Sequence, residues 1–181
     1  MATIPKVLHD HINTAFPANV CLLGSVLPSG FAQITPRGGT MVYDDEHIDT
    51  AFPANVCLLG SVLPNGFAQV TPRGGTMVYD DEHIGLWERG SGSTAENMKD
   101  GTKLTIYFRK PSLREDGTLP RGGIARFYGT AKIYKSGPVY EEVWRRLVQP
   151  EKDRDPDKKG YAVLIAIERA EDLAGQALNP G

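Results

Sequence analysis

Two short stretches combine residue types that bind phosphate. Residues 89–94 read Arg89-Gly-Ser-Gly-Ser-Thr94. Glycines allow a ligand close to the backbone, hydroxyls donate hydrogen bonds, and a helix start offers free N–H groups and a positive dipole end. Residues 71–75, Thr71-Pro-Arg-Gly-Gly75, interrupt a predicted strand and present an arginine, which can form a bidentate contact with phosphate. An ordinary capped loop and a β-bulge with a solvated Arg73 are the alternatives.

Other catalytic signatures are missing from the sequence. Three of the four histidines, His11, His47 and His83, are one residue recurring at a 36-residue period, and no spacing fits a metal site. There is no nucleophile elbow, Walker loop or dinucleotide-binding glycine motif. Cys21 and Cys57 also correspond to each other, so no disulfide framework is indicated and each is expected to be a small buried hydrophobe. The catalytic residues stay unknown, and no metal is expected.

A near-identical repeat must be accommodated by the fold. Residues 14–48 recur as residues 50–84, and only Ser29/Asn65 and Ile34/Val70 differ. Two copies are too few for a solenoid, so we expect a single domain over residues 1–181 with one redundant copy. Residues 50–84 connect directly to the next strand, which predicts that this second copy enters the barrel. The first copy is then an appended hairpin that pairs with a sheet edge or a neighbouring subunit, and Arg73 rather than Arg37 is the arginine of the site.

The apolar pattern predicts a mainly β protein, a small barrel with a few short helices. A capping-box spacing from Ser93 to Glu96 predicts a short helix that opens near Thr94 and stops by Gly101. Polar loops are expected over residues 110–123 and 149–159. Strands are predicted at residues 56–63, 67–71, 76–79, 83–88, 104–108, 124–134 and 161–168, and further helices at residues 5–13 and 138–148.

Composition excludes several classes of function. The 181 residues are 40% apolar and 23% charged, with a net charge of −2, which is ordinary globular usage. No apolar run approaches a membrane span, and the first residues lack the pattern of a secretory signal. The basic residues are scattered, which argues against nucleic acid as a partner. We therefore expect a cytoplasmic protein that contacts neither membrane nor nucleic acid.

The order of these features resembles the FMN-binding split-barrel family related to pyridoxamine 5'-phosphate oxidase. The resemblance runs through residues 66–75, 87–98, 103–108 and 125–131. It implies a six-stranded antiparallel split barrel and a homodimer with FMN in a cleft at the subunit interface. Carried over residue by residue, it implies that the cofactor is bound by Thr71, Pro72, Arg73, Gly74, Arg89, Ser91, Ser93, Thr94 and Asn97.

One departure from the family pattern bears on the reaction. Pyridoxamine 5'-phosphate oxidases have an Arg-Lys pair where this chain has Ser93 and Thr94, so we expect a relative rather than the vitamin B6 enzyme itself. The first hypothesis is an oxidoreductase that uses FMN to exchange electrons with a small substrate, with a nicotinamide as a candidate donor. The alternative is a non-catalytic flavin-, deazaflavin- or haem-binding module. An apolar stripe over residues 139–147 is expected to be exposed and to support the homodimer.

Overall fold

A computed structural model describes residues 21–37, 57–110 and 112–178, and this part of the chain is mainly β. Seven strands form one antiparallel sheet and two form a separate hairpin. The strands are β1 (Cys21–Val26), β2 (Ala32–Arg37), β3 (Cys57–Val62), β4 (Ala68–Arg73), β5 (Met77–Asp80), β6 (His83–Glu88), β7 (Lys103–Arg109), β8 (Ile124–Tyr134) and β9 (Tyr161–Asp172). The helices are α1 (Ser93–Asn97), α2 (Ser112–Glu115), α3 (Pro138–Arg146) and α4 (Gln149–Asp153).

The large sheet has the strand order β4-β3-β7-β8-β9-β6-β5. Side chains alternate along β7, so that Leu104 and Ile106 enter the main core with Leu59, while Thr105 and Tyr107 face the other side. All four of these β7 side chains are buried. Both faces of the middle of the sheet are therefore covered, one by the main core and the other by the hairpin β1–β2.

The two repeat copies form the same hairpin in different surroundings. Cys21 pairs with Arg37 in the first copy as Cys57 pairs with Arg73 in the second. Gly30 and Gly66 have φ of 82° and 85° at the two turns, a conformation that glycine adopts without steric cost. However, β3–β4 belongs to the large sheet through the pairing of β3 with β7, whereas β1–β2 pairs only with itself among the described residues.

The mainly β class and the antiparallel sheet are confirmed, but the details differ from the prediction. The large sheet has seven strands rather than six. Pro72 and Arg73 do not interrupt the sheet, because β4 runs through both, and the edge position of β4 leaves room for a proline without an N–H. The two segments expected to be loops contain the short helices α2 and α4. The helix expected over residues 5–13 lies outside the described residues.

Helix α3 covers the chain's own sheet. Its apolar stripe packs with Trp87 and Leu164, and Val143 and Leu147 are buried there. Pro138 suits the first turn, where its fixed φ and missing N–H cost nothing, and Arg145 and Arg146 suit the negative end of the helix dipole. The expectation that this stripe is exposed is therefore wrong, because it packs against the sheet of its own chain.

No helix in the described part of the chain is long and apolar enough to cross a membrane. Within the same ranges, no group of three or more His, Cys, Asp or Glu side chains could hold a metal ion. His83 instead pairs with Asp80, with 2.7 Å between Nδ1 and Oδ1, at the turn that joins β5 to β6.

Candidate functional site

A polar cluster joins β4 to helix α1. Gln69, Thr71 and Arg73 alternate along β4 and therefore share one face of the strand. The Thr94 hydroxyl donates to Gln69 Oε1 at 2.9 Å and lies 3.1 Å from the Thr71 hydroxyl. Gln69 Nε2 in turn donates to the Ser93 hydroxyl oxygen. These bonds tie the start of α1 to the edge strand of the sheet.

A buried ion pair lies beside this cluster. Arg73 Nη2 is 2.6 Å from Glu88 Oε2, and the two side chains are 12% and 1% exposed. Arg73 Nε is buried and has no hydrogen-bond acceptor among the described residues. A buried carboxylate needs a partner charge, so Glu88 at the end of β6 neutralises the arginine that sequence reasoning assigned to the cofactor.

Tyr161 contacts helix α1 beside this cluster. Its hydroxyl donates to the carbonyl oxygen of Ala95 in α1, with 3.3 Å between the oxygens. Burial and the nearby charge of Glu88 raise the pKa of Tyr161 to about 12. This phenol is therefore a neutral hydrogen-bond donor at physiological pH.

The loop between β6 and α1 is open to solvent. Gly90 and Gly92 have φ of 78° and 86°, and a Cβ on either would meet nothing within 4 Å. Arg89, Ser91 and Ser93 are exposed. Gly92, not Ser93, is the N-cap residue of α1, and no side chain caps the helix. The capping box predicted for Ser93 and Glu96 is therefore absent, which leaves the Ser93 hydroxyl free of that role.

The structure brings part of the predicted set together. Thr71, Ser93 and Thr94 lie in one hydrogen-bonded cluster, while Arg89 and Ser91 belong to the adjoining loop. The other predicted residues have different surroundings: Pro72 is exposed, Gly74 is half-buried, Arg73 is ion-paired, and Asn97 Nδ2 donates to the Ser93 carbonyl oxygen at 2.7 Å.

Sequence reasoning missed Gln69, Glu88 and Tyr161. Gln69 could have been found, because it precedes Thr71 by two residues on a predicted strand and so shares its face. Glu88 and Tyr161 come to the site only through the pairing of β6 with β9, in which they are direct partners. No local sequence pattern predicts the pairing of β6 with β9.

A second buried contact anchors the end of β6. Trp87 Nε1 donates to Asp155 Oδ2 at 2.9 Å, and the backbone N–H groups of Lys159 and Gly160 donate to the same carboxylate. Burial opposes ionisation of Asp155, but these three hydrogen bonds outweigh it and hold the pKa below its usual value. A Cβ on Gly160 would lie 2.4 Å from the Glu88 carbonyl oxygen, so only glycine allows this approach. The contact fixes the strand end that carries Glu88 and the glycine loop.

Cys57 takes no part in the site. Its thiol is free, and burial raises its pKa to about 11. A thiol of this pKa is protonated at neutral pH and is a poor nucleophile. It packs against the main core, as expected for a small hydrophobe.

These residues suit one end of a phosphorylated ligand. The exposed loop offers hydroxyls, open backbone and the charge of Arg89, and the Ser93 hydroxyl can donate outward because its oxygen already accepts from Gln69. The buried Nε of Arg73, which has no acceptor among the described residues, is a further donor. The Arg73–Glu88 pair contributes no net charge, so the attraction for a phosphate depends on Arg89 and on neutral donors.

The described fold matches solved structures at low sequence identity. HupZ from group A Streptococcus is 23% identical with a TM-score of 0.51, covering 76% of this chain and 95% of that one. A protein related to general stress protein 26, of the pyridoxinephosphate oxidase family, from Clostridium acetobutylicum is 16% identical with a TM-score of 0.49, covering 69% and 81%. An FMN-binding protein from Syntrophomonas wolfei is 11% identical with a TM-score of 0.42, covering 70% and 81%.

The solved structures similar to this chain thus include pyridoxinephosphate oxidase-family and FMN-binding proteins, in line with the resemblance predicted from the sequence. Of these three, only HupZ has a TM-score above 0.5, and at 23% identity it shows a shared fold alone. No family model matches the sequence. No curated protein matches it either.

Proposed function

We propose that the protein is an FMN-binding flavoprotein and an oxidoreductase that exchanges electrons with a small substrate. The observation that carries the proposal is the cluster of Gln69, Thr71, Ser93 and Thr94 beside the open glycine loop. It joins neutral donors, an exposed glycine backbone and one exposed arginine at the rim of the sheet. That combination favours a phosphorylated ligand.

In this proposal the described residues bind and orient the cofactor. Ser91, Ser93 and the loop N–H groups donate to the phosphate, and Arg89 supplies the charge. Thr71, Pro72 and Gly74 border the cofactor along β4. Arg73 acts indirectly. Its charge neutralises Glu88, so that the buried carboxylate does not repel the phosphate.

When bound, FMN supplies the electron-transfer chemistry, and the protein supplies binding, orientation and electrostatics. The described side chains of the site are consistent with this division of roles between the cofactor and the protein. Glu88 is held in an ion pair and the Tyr161 phenol has a pKa of about 12. The phenol is therefore not poised as an acid or base near neutral pH. We propose a nicotinamide as the electron donor and a cytoplasmic location for the protein.

The vitamin B6 reaction is not proposed. Ser93 and Thr94 carry no charge where the oxidases have Arg-Lys, and Thr94 is buried with its hydroxyl already held by Gln69. The phosphate site therefore has two fewer positive charges than in those enzymes. We infer a different small-molecule substrate.

The homodimer implied by the resemblance needs a surface other than α3. The stripe on that helix is packed against Trp87 and Leu164 of the same chain. We propose a homodimer, as the resemblance implies, that is formed through another surface of the chain.

The visible absorption spectrum of the purified protein tests the proposal. Flavin bands, and saturable quenching of FMN fluorescence by the colourless protein, are the expected results. A Soret band would favour the haem-binding alternative, and no binding of FMN would overturn the proposal. A flavin spectrum without turnover of a nicotinamide donor would favour the non-catalytic module.

Ser93→Glu tests the phosphate contact. The side chain is exposed, so the fold tolerates the change, but a carboxylate at this position repels a phosphate. We expect FMN affinity to fall by more than tenfold, that is by more than about 1.4 kcal/mol. Ser136→Glu, at another exposed serine, is the matched control and leaves affinity unchanged. Equal affinity for the two variants would remove Ser93 from the site.

A further inference from the structure

The segment between α4 and β9, residues 154–160, contains a buried carboxylate. Asp155 is 7% exposed, although most of the charged side chains around it are exposed. Its Oδ2 accepts hydrogen bonds from Trp87 Nε1 and from the Gly160 N–H, each at 2.9 Å. Its Oδ1 accepts from the Lys159 N–H, also at 2.9 Å. Both oxygens of this carboxylate are therefore engaged.

Two of these donors stand next to residues of the candidate site. Trp87 precedes Glu88 at the end of β6. Gly160 precedes Tyr161 at the start of β9. Glu88 and Tyr161 are the last direct partners in the antiparallel pairing of β6 with β9. Asp155 therefore holds the two strand ends together at the point where they reach the site.

Both strand ends lead directly to the glycine loop and helix α1. Beyond Glu88 the chain enters the glycine loop, and the Glu88 carboxylate pairs with Arg73. On the other strand, the Tyr161 hydroxyl donates to the Ala95 carbonyl oxygen of α1. Asp155 is thus connected to both ends of the glycine loop, to one through β6 and to the other through β9.

The glycine loop has few hydrogen bonds of its own in the described part of the chain. The Gly90 N–H lies 3.4 Å from Glu88 Oε1, which is long for a hydrogen bond. A Cβ on Gly90 or Gly92 would meet nothing within 4 Å, and no side chain caps α1. The loop therefore takes its position from its two ends, at β6 and at α1.

Helix α3 holds residues 154–160 from the other side. The Tyr140 hydroxyl donates to the Lys158 carbonyl oxygen at 2.9 Å. Lys158 Nζ lies 2.5 Å from Glu141 Oε2 and 4.6 Å from the centroid of the Tyr140 ring. Lys158 has a φ of 53°, in the left-handed region that residues other than glycine rarely adopt. Such a conformation persists where the surrounding contacts fix it, so these contacts with α3 keep the segment in place.

We propose that Asp155 is a positioning residue for the glycine loop: it holds the ends of β6 and β9 so that the loop donors converge on one phosphate. Asp155 acts through Trp87 and Gly160 and does not contact the ligand. This inference rests on the proposed function, because the phosphate is that of FMN. Without the carboxylate, every residue of the site is still present, but the loop is no longer held in the binding arrangement.

The main test is the FMN affinity of full-length Asp155→Asn, measured by fluorescence titration. The amide keeps the shape of the side chain, but its NH2 group cannot accept a hydrogen bond, so the three donors are no longer all satisfied. We expect FMN to bind about tenfold more weakly, which corresponds to about 1.4 kcal/mol.

Two controls separate positioning from surface charge and from overall stability. Asp157→Asn removes an exposed carboxylate of the same segment. Ile106→Val lowers the stability of the main core, to which residues 154–160 do not belong. Both variants are expected to bind FMN as the unmodified chain does.

Amide hydrogen exchange of the ligand-free variants is a second measurement, and it does not depend on FMN. We expect faster exchange in residues 89–97 of Asp155→Asn but not of the two controls, because local opening of the loop follows the strand ends. Trp87→Phe removes the indole N–H without changing Asp155 and serves if Asp155→Asn fails to fold. It should change affinity and exchange in the same direction.

If the unmodified chain binds FMN, unchanged affinity of folded Asp155→Asn or Trp87→Phe would overturn the proposal, whatever the exchange rates. An equal loss of affinity in Ile106→Val would also overturn it, because binding would then follow overall stability. If the unmodified chain does not bind FMN, the proposed function is wrong. Exchange in residues 89–97 then decides the positioning role alone, and rates equal to those of the unmodified chain would overturn it.

Discussion

The two hairpins have almost the same sequence and different roles. The second, β3–β4, pairs with β7 and contributes Gln69, Thr71 and Arg73 to the candidate site. The first, β1–β2, joins no other strand in the described part of the chain and packs flat on the sheet. The difference is that the chain continues directly from the second copy into β6, which provides Glu88. Position along the chain, not local sequence, decides which copy builds the site.

The two hairpins also differ in how deeply corresponding side chains are buried. Ile34 is fully buried in the first copy, while Val70 in the second is half-buried. Matched positions thus contribute to stability through different neighbours, and substitutions at matched positions separate the two roles.

The largest expected effect is at the matched arginines. Arg73→Ala leaves Glu88 buried without a partner charge, and breaking a buried pair typically costs about 3–5 kcal/mol. Arg37→Ala is expected to change the free energy of unfolding little, because Glu88 is already paired with Arg73. Urea unfolding of both variants measures the difference, and flavin affinity measured in parallel tests the assignment of Arg73. Glu88→Gln in the Arg73→Ala background should restore part of the loss. Equal costs at the two arginines would contradict this comparison.

A smaller effect is expected at the matched phenylalanines. Phe31→Ala removes a buried ring that packs on Tyr128. It should lower the free energy of unfolding by about 2–4 kcal/mol, where a phenylalanine in a protein core typically costs about 3–5 kcal/mol. Phe67→Ala, at an exposed ring, should change it by less than about 0.5 kcal/mol. The midpoint of urea unfolding checks both. A larger loss at Phe67 would mean that the first copy does not occupy the sheet face.

A further effect is a pH dependence that arises from one tyrosine beside each hairpin. The pKa of Tyr128, under Phe31, is raised to about 12 by burial and its hydrogen bond to Glu171, and that of Tyr161, near Arg73, is also about 12. An unfolded tyrosine ionises near pH 10, so the unfolded state loses protons first as pH rises. Stability should be unaffected below pH 10 and should fall between pH 10 and 12, by about 1.4 kcal/mol per unit for each group.

Tyr128→Phe and Tyr161→Phe should each flatten this alkaline slope, whatever they cost at neutral pH. Denaturant unfolding at several alkaline pH values provides the measurement. An unchanged slope in both variants would show that neither phenol is held neutral by its surroundings.

Local sequence predicted the elements better than their assembly. Alternation and turn residues located β3 and β8 within a residue or two, because such strands depend on short-range patterns. The break expected at Pro72 did not occur, since proline is tolerated in an edge strand and the sequence alone does not say which strand is at the edge.

The sequence predicted only those parts of the candidate site that depend on short-range patterns. Ser93 and Thr94 were found from the glycine and hydroxyl pattern, and Gln69 was within reach of strand periodicity. The pairing of Arg73 with Glu88 depends on which strands lie together. Likewise, the stripe on α3 was identified, but the surface that covers it is formed by distant strands.

We propose that the second hairpin, and not its near-identical twin, forms the flavin site. The most direct measurement is FMN affinity, by fluorescence titration, of Gln69→Ala and Gln33→Ala. Gln69 orders Ser93 and Thr94, whereas Gln33 is the same residue 36 positions earlier. We expect at least a tenfold loss for Gln69→Ala, about 1.4 kcal/mol, and none for Gln33→Ala. A loss confined to Gln33→Ala would contradict the account, and equal partial losses would show that the two copies exchange places.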